Sequence, residues 1–248
     1  DVAQCPVTDY DAVINDFEPV SAWAARRRNV KAIAVSHQAA FYSPKVPRHK
    51  DRNAFIEYGM RRFAPFDAFV ASHYKPYDED IFLPVIRKEL LEATVTTGDK
   101  IVVYLPAFAD QKLIPHFNKL KHENWLIFSK KASQKYQAGN VTVHPVNREL
   151  YSRELILAKA VLMGSGFQGT SEALYLGKKL MTIPMFDQYE QLCNAAALEA
   201  LGVRIVYKID GAFSEKLQSW LAEENTCHYR FQPDPEAMAM RILELAQK

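Results

Sequence analysis

Residues 160–203 read AVLMGSGFQGTSEALYLGKKLMTIPMFDQYEQLCNAAALEALGV, and this stretch decides the fold. The four apolar residues Ala160–Met163 are too short for a core helix and suit a strand buried on both faces. Glycines 164, 166 and 169 follow at once. A helical pattern over Thr170–Leu176 then closes at Gly177, a residue type that accepts the left-handed cap. A second apolar run, Leu180–Ile183, leads into a polar cluster from Asp187 to Asn194. The helix Tyr189–Leu201 carries that cluster and is again followed by glycine, Gly202, before a strand over Val203–Tyr207. Strands alternating with helices at this spacing predict a parallel sheet with crossover helices.

The same alternation extends upstream. Ile101–Leu105 is a strand ending at Pro106, Lys112–Lys121 a helix, Trp125–Ser129 and Val141–His144 strands, and Arg148–Ala158 a helix. Glu215–Glu224 and Pro235–Gln247 close the chain as helices. This series holds six strands, enough for a doubly wound domain. An earlier series holds three: Ala12–Asn15, Val30–Ser36 and Phe66–Ser72, with helices over Val20–Arg27 and Ala54–Phe63. Tyr74–Pro84, with two prolines and three consecutive acids, reads as a loop leading to a linker helix near Val85–Ala93. The expectation is an α/β protein of two Rossmann-like domains with parallel sheets, residues 1–98 with the linker and residues 99–248. Three parallel strands can hardly bury both faces, so the first domain is expected to be incomplete and the chain to begin inside it.

Composition narrows the classes. The 248 residues carry 31 basic and 29 acidic side chains, and this near balance gives no general case for nucleic acid as a partner. Cys5, Cys193 and Cys227 are far apart, so neither a zinc site nor a disulfide framework is expected. That usage suits a reducing cytoplasm. No apolar run approaches the roughly 20 residues that span a bilayer, and no signal peptide opens the chain.

The chemistry concentrates at Gly164–Asn194. Small residues at Gly164, Ser165, Gly166 and Gly169 let a ligand approach the backbone beside Phe167. The unpaired amides and positive dipole end of the following helix suit an anion, and a diphosphate fits there. Thr170 and Ser171 add hydroxyls. Glu172, read as lying in the first helical turn, could accept ribose hydroxyls or simply favour the dipole. Asp187 and Gln188 follow a strand directly and fall at the carboxyl edge of the sheet, where open α/β folds bind ligands. Gln191 and Asn194 lie one and two turns on.

This stretch resembles the donor-binding signature of GT-B glycosyltransferases, among them the UDP-sugar transferases and the peptidoglycan lipid-intermediate GlcNAc transferase. The resemblance implies a diphosphate at the glycine loop, a ribose at Glu172, sugar hydroxyls at Asp187 and Gln188, and a further sugar or phosphate contact at Gln191. It places the loop of His144 and Val146 near the nucleobase, and Phe108 beside the donor phosphates or the acceptor. Upstream, DYDAVINDFEPVSAWAARRR followed by VKAIAVSHQ resembles a little-characterised bacterial and archaeal GT-B subfamily, over most of the chain. Members of it begin with a further Gly- and His-containing loop that is absent here, where many GT-B enzymes keep their base.

Lesser candidates lie at the ends of the first three strands. Asp16 and His37 are candidate catalytic groups, His37 because an imidazole titrates near neutrality. His73 and Gln38 are candidate acceptor-side groups. Asp78–Asp80 reads Asp-Glu-Asp, the form of a metal-holding DxD motif, but its proline-flanked connector marks a solvated linker. No metal and no cofactor is expected. The expected activity is metal-independent transfer of a sugar from a UDP-sugar to an acceptor hydroxyl. A lipid-linked acceptor with a peripheral membrane contact stays open, given the aromatic residues Phe41, Phe55, Tyr58, Phe63, Phe66 and Phe69. Two rivals stay open as well: a nucleotide-sugar hydrolase on the same fold, and a non-catalytic nucleotide-sugar-binding module. A 2-epimerase is disfavoured because Pro184 and FDQYEQ stand where those enzymes carry a Thr-Glu-Arg-Pro-Glu-like run.

Overall fold

Both series of short apolar runs become parallel sheets in the computed structural model, which describes residues 1–51 and 53–247. The chain divides into two units, Asp1–Val85 with the segment from Gln232, and Ile86–Phe231.

In the first unit β1 (Ala12–Asn15), β2 (Lys31–Ser36), β3 (Ala68–Ser72) and β4 (Ile81–Phe82) lie side by side in that order, all parallel. Helix α1 (Pro19–Arg28) crosses from β1 to β2. Glu18 starts it by accepting the amides of Val20 and Ser21 at 2.7 and 2.8 Å. The Ser21 contacts hold that carboxyl below the usual range. Asn29, left-handed at φ 54°, ends the helix. A 3-10 turn over Gln38–Tyr42 and α2 (Ala54–Phe63) link β2 to β3. The sheet has four strands rather than three. β4 forms inside the expected loop, and at two residues it is too short to leave a pattern. The C-terminal helix Pro235–Gln247 packs on β2 and β3, and its Arg241 pairs with Asp80 at 2.7 Å. Sequence pattern alone assigned that helix to the second series and set the division at 98/99.

The second unit holds α3 (Lys88–Leu91), β5 (Lys100–Tyr104), α4 (Asp110–Phe117), β6 (Asn124–Ser129), β7 (Tyr136–Ala138), β8 (Val141–Pro145), α5 (Arg148–Leu157), β9 (Ala160–Met163), α6 (Phe167–Tyr175), β10 (Lys179–Thr182), α7 (Tyr189–Glu199), β11 (Arg204–Ile205) and α8 (Phe213–Ala222). Its sheet runs β11-β10-β9-β5-β6-β8-β7. Every pairing is parallel except that of β7 with β8, a hairpin turned at Gly139 with φ 65°. Edge strand β7 is the one beyond the six expected. The core is built from Ile101, Val103, Ile127, Val141, Leu162 and Met181. Phe117 of α4 stacks on Trp125 at 4.2 Å between ring centroids.

The direction of chain progress across this sheet reverses between β5 and β9, neighbours in space but separated in sequence by β6, β7 and β8. Helices leave such a pair toward opposite faces, opening a crevice at the strands' carboxyl ends. Those ends are Tyr104 and Met163, opposite each other in the pairing register.

Candidate functional site

The loop Gly164–Gly166 lies at that reversal. Gly164 remains tied to the sheet, its amide donating to the Tyr104 carbonyl at 3.2 Å. Ser165 is buried, and its hydroxyl donates to Thr182 Oγ1 at 3.0 Å. Gly166 is the N-cap of α6, at φ −68° and ψ 138°, and no side chain caps the helix. Any residue adopts that backbone, and a Cβ added there meets no atom within 4 Å. The fold therefore does not require glycine at 166. A side chain would instead occupy open space over a helix N-terminus, where amides and dipole favour an anion.

Helix α6 begins at Phe167, three residues earlier than the hydrophobic pattern suggests, because Gly166 supplies the cap and Phe167–Gly169 form the first turn. Glu172 therefore lies in the second turn, which removes the expected dipole-favouring role for it. Thr170 and Ser171 are fully buried. The Thr170 hydroxyl donates back to the carbonyls of Gly166 at 2.7 Å and Phe167 at 3.0 Å, which stiffens the first turn. Ser171 Oγ is buried without a hydrogen-bond partner.

Glu172 is 2% exposed and is held by a residue that sequence reasoning missed. Arg87 grips both its oxygens, Nε to Oε1 and Nη2 to Oε2, each at 2.7 Å. Gln168 donates to Oε1 at 3.0 Å. Arg87 Nη1 also reaches Ser152 of α5 at 3.0 Å and Glu89 at 3.1 Å. The hydrogen bonds to Glu172 raise the Arg87 pKa, while burial, and secondly the Glu172 charge, raise that of Tyr151. A carboxylate has about four acceptor positions. Two are taken on Oε1 and one on Oε2. The sequence clue to Arg87 was indirect: an acid placed in a buried helix turn requires a cation, but spacing does not say which.

Asp187 and Gln188 are exposed after β10, beside Phe186, which is 80% exposed. Gln191 folds back over this turn. Its Oε1 accepts the Met185 amide at 3.2 Å and its Nε2 donates to Gln188 Oε1 at 2.8 Å. A Cβ at Gly164 would touch Gln191 Oε1 at 3.4 Å, so the turn and the glycine loop are neighbours. Asn194 is fully buried and donates to the Ser165 carbonyl at 3.1 Å, pinning the loop to α7. On the other side of the reversal, Phe108 sits in a turn just after β5 and packs on the core. His144 lies within β8, stacked on Phe128 at 6.4 Å, and burial lowers its pKa. Val146 is half exposed just beyond.

In the first unit, His37 and His73 come together, with ring centroids 4.9 Å apart. His37 is 8% exposed and its Nδ1 lies 2.8 Å from the Ser72 carbonyl. A carbonyl only accepts, so Nδ1 carries hydrogen and, in the neutral ring, Nε2 carries the lone pair. His73 is fully buried. Its Nδ1 accepts the Tyr74 amide at 2.9 Å, so this ring has the opposite tautomer. Burial, then the charges of His37 and Arg48, push its pKa well below the ordinary 6.5. Gln38 opens the 3-10 turn, and Asp16 is exposed in the bend after β1. Asp78 and Asp80 are engaged in ion pairs. The Lys45 ammonium at 2.8 Å, with Ser43, holds the Asp78 carboxyl down at about 2, and Asp80 meets Arg241.

A doubly wound sheet with a glycine-led helix at its reversal is shared by many nucleotide-binding α/β folds, GT-B domains among them. The chain belongs to glycosyl transferase family 1, whose sequence model matches residues 7–223. Among solved structures it is similar to the spinosyn forosaminyltransferase SpnP, with 12% identity, a TM-score of 0.62, and coverage of 100% of this chain and 79% of that one. It is similar to Arabidopsis thaliana UGT89C1 complexed with UDP, with 16% identity, a TM-score of 0.60, and coverage of 99% and 70%. It is also similar to MurG of Acinetobacter baumannii, with 13% identity, a TM-score of 0.59, and coverage of 99% and 76%. At these identities the likeness speaks for the fold. No curated protein sequence matches the chain. Among the described residues no helix is long and apolar enough to cross a membrane.

Proposed function

We propose that the chain transfers a sugar from a UDP-sugar to an acceptor hydroxyl without a metal ion. The observation that carries this reading is Gly166, a residue the fold does not need as glycine, at the N-terminus of a helix that starts at the sheet reversal. The diphosphate is assigned to the first-turn amides of α6. The charge that develops on the departing UDP would be met there by fixed dipoles, which need no reorganisation as the bond breaks. Glu172 is assigned to the ribose hydroxyls, and the exposed Asp187 and Gln188 to hydroxyls of the sugar. His144, Val146 and Phe108 are assigned to the base and phosphate side. His37, whose neutral tautomer carries its lone pair on Nε2, is assigned as the base toward the acceptor. Asp16, Gln38 and His73 are assigned to its surroundings. That one complexed structure of this fold is bound to UDP supports the choice of nucleotide.

Donor turnover tests the reading. The chain is incubated with UDP-glucose and UDP-GlcNAc in EDTA, with and without a pool of lipid and small-molecule hydroxyl acceptors, and UDP and sugar products are quantified. Release of UDP that requires acceptor, and that persists in EDTA, supports transfer. Release of UDP with free sugar regardless of acceptor identifies a hydrolase. Tight UDP binding with no release under any condition identifies a binding module.

A further inference from the structure

Helix α2 of the first unit is amphipathic in the reverse sense. A surface helix in water ordinarily turns its apolar stripe inward and its charges outward. In α2 the one buried residue is an acid, Glu57, whose Oε1 accepts Arg48 Nε at 2.7 Å. The large apolar side chains face the other way. Phe55 is 88% exposed and Tyr58 56%, and Ile56 and Phe63 are exposed as well. At 3.6 residues per turn, Phe55, Tyr58, Gly59 and Arg62 share one stripe opposite Glu57, with Ile56 and Phe63 on its flank. Phe63, at the helix end, leans on Phe17 with ring centroids 5.0 Å apart. The middle of the stripe is uncovered, since a Cβ added at Gly59 meets no atom within 4 Å.

The exposed charges of α2 are all positive. Arg61 and Arg62 stand in its last turn. Among the described residues neither is in an ion pair. Each lies over a ring instead, Arg61 over Tyr42 and Arg62 over Tyr58, both 5.1 Å from the centroid. Just before the helix Lys50 is exposed, beside Asp51, whose carboxylate lies 3.6 Å from His49. Rings and guanidinium groups on one face, with the helix's acid withdrawn, match a surface that is negative outside and apolar within. We propose that α2 docks the protein on an anionic phospholipid bilayer. Phe55 and Tyr58 enter the acyl boundary, and Arg61 and Arg62 meet headgroup phosphates. Size favours lipid over protein. The 10 residues of α2 make a helix about 15 Å long. That strip is far below the roughly 800 Å² per partner of a stable protein interface. A bilayer sets no such threshold, because each inserted ring contributes through its own burial. Docking of this kind is independent of whether the second unit takes a nucleotide sugar.

Co-sedimentation of the 248-residue chain with vesicles tests this. Vesicles of phosphatidylcholine, alone or mixed with phosphatidylglycerol, are compared at low and high salt. The proteins are the wild type, the double variant Phe55→Ser with Tyr58→Ser, and the double variant Arg61→Gln with Arg62→Gln. All four side chains are exposed, so both variants are expected to melt with the wild type. The wild type is expected to bind the phosphatidylglycerol vesicles roughly tenfold or more tighter than phosphatidylcholine alone, and salt should narrow that gap. The serine variant is expected to lose roughly tenfold or more on the anionic vesicles. The glutamine variant is expected to lose most of the preference for them. Phe55→Trp supplies a readout that needs neither double variant: its emission, after subtraction of the wild type, should shift to the blue on anionic vesicles. A wild type that stays in the supernatant, or binds both lipids alike, would overturn the proposal. So would double variants that bind as the wild type does, or an unshifted Phe55→Trp. Light scattering that finds a dimer dissolved by the serine variant would give the face to a second copy of the chain and overturn it too.

Discussion

The carboxyl edges of the two sheets are built from similar material and put to different use. In the first unit Asn15, His37 and His73 turn inward at the strand ends, while Asp16 stays exposed. His73 is fully buried, His37 nearly so, and Asn15 gives both its side-chain ends to Glu18 and Ser21. In the second unit the inward-facing polar groups, Ser165, Thr170 and Asn194, brace the loop, while the glycine positions and the Asp187–Gln188 turn remain exposed or half-exposed. Polar residues at a strand end are therefore no evidence of a ligand by themselves. What distinguishes the second edge is that its shape is held by buried partners so that backbone, rather than side chains, borders open space.

The largest expected effect breaks the bracing on which the second edge depends. Glu172→Ala removes the buried carboxylate from an Arg87 guanidinium that is 23% exposed and keeps Glu89 and Ser152, and is expected to cost about 1–3 kcal/mol in urea denaturation. A loss under about 1 kcal/mol would show that the pair is loose in solution. A smaller effect concerns the first edge. His73 stays neutral in the fold while the unfolded chain protonates near 6.5. The stabilisation is thus fully present above that pH. As pH falls below it, the unfolded state binds the extra proton, and stability is expected to decline by up to about 1.4 kcal/mol per pH unit from this group. Denaturation midpoints measured from pH 7.5 to 5 in wild type and His73→Gln should diverge in that direction. Parallel curves would mean that His73 is protonated in the fold. The smallest effect is expected at the DxD-like run. Asp78→Asn removes a solvent-screened pair with Lys45 and should leave the urea denaturation midpoint essentially unchanged. UDP affinity should be unchanged with or without magnesium, and a magnesium-dependent loss would restore a metal role to that run.

The sheet pattern of the second unit was legible in sequence because its inner strands are short buried runs and because α6 and α7 are each followed by a glycine, Gly177 and Gly202, left-handed at φ 66° and 87°. The glycine loop and the Asp187–Gln191 cluster were legible because they follow such runs directly. Other features were not. β4 and β7, of two and three residues, are strands by virtue of their neighbours and carry no period of their own. The start of α6 was set three residues late because Phe167-Gln168-Gly169 has no apolar periodicity, and this misplaced Glu172 by a turn. Arg87 was read as part of a linker, since a pairing across 85 residues leaves no local trace. The C-terminal helix was assigned by adjacency in sequence, whereas packing on β2 and β3 determines its place.

The central claim is that the open space over Gly166 is where the donor's diphosphate binds. Gly166→Val tests it, because the backbone there is extended and a Cβ added there meets no protein atom within 4 Å. Wild type and variant would be titrated with UDP in EDTA and melted in parallel. The account predicts a melting temperature lowered by only a few degrees, the cost of valine at a helix N-cap, and a loss of UDP affinity of at least about a hundredfold, since the valine occupies the ligand's space. Equal UDP affinity in the two proteins would contradict it and place nucleotide binding elsewhere.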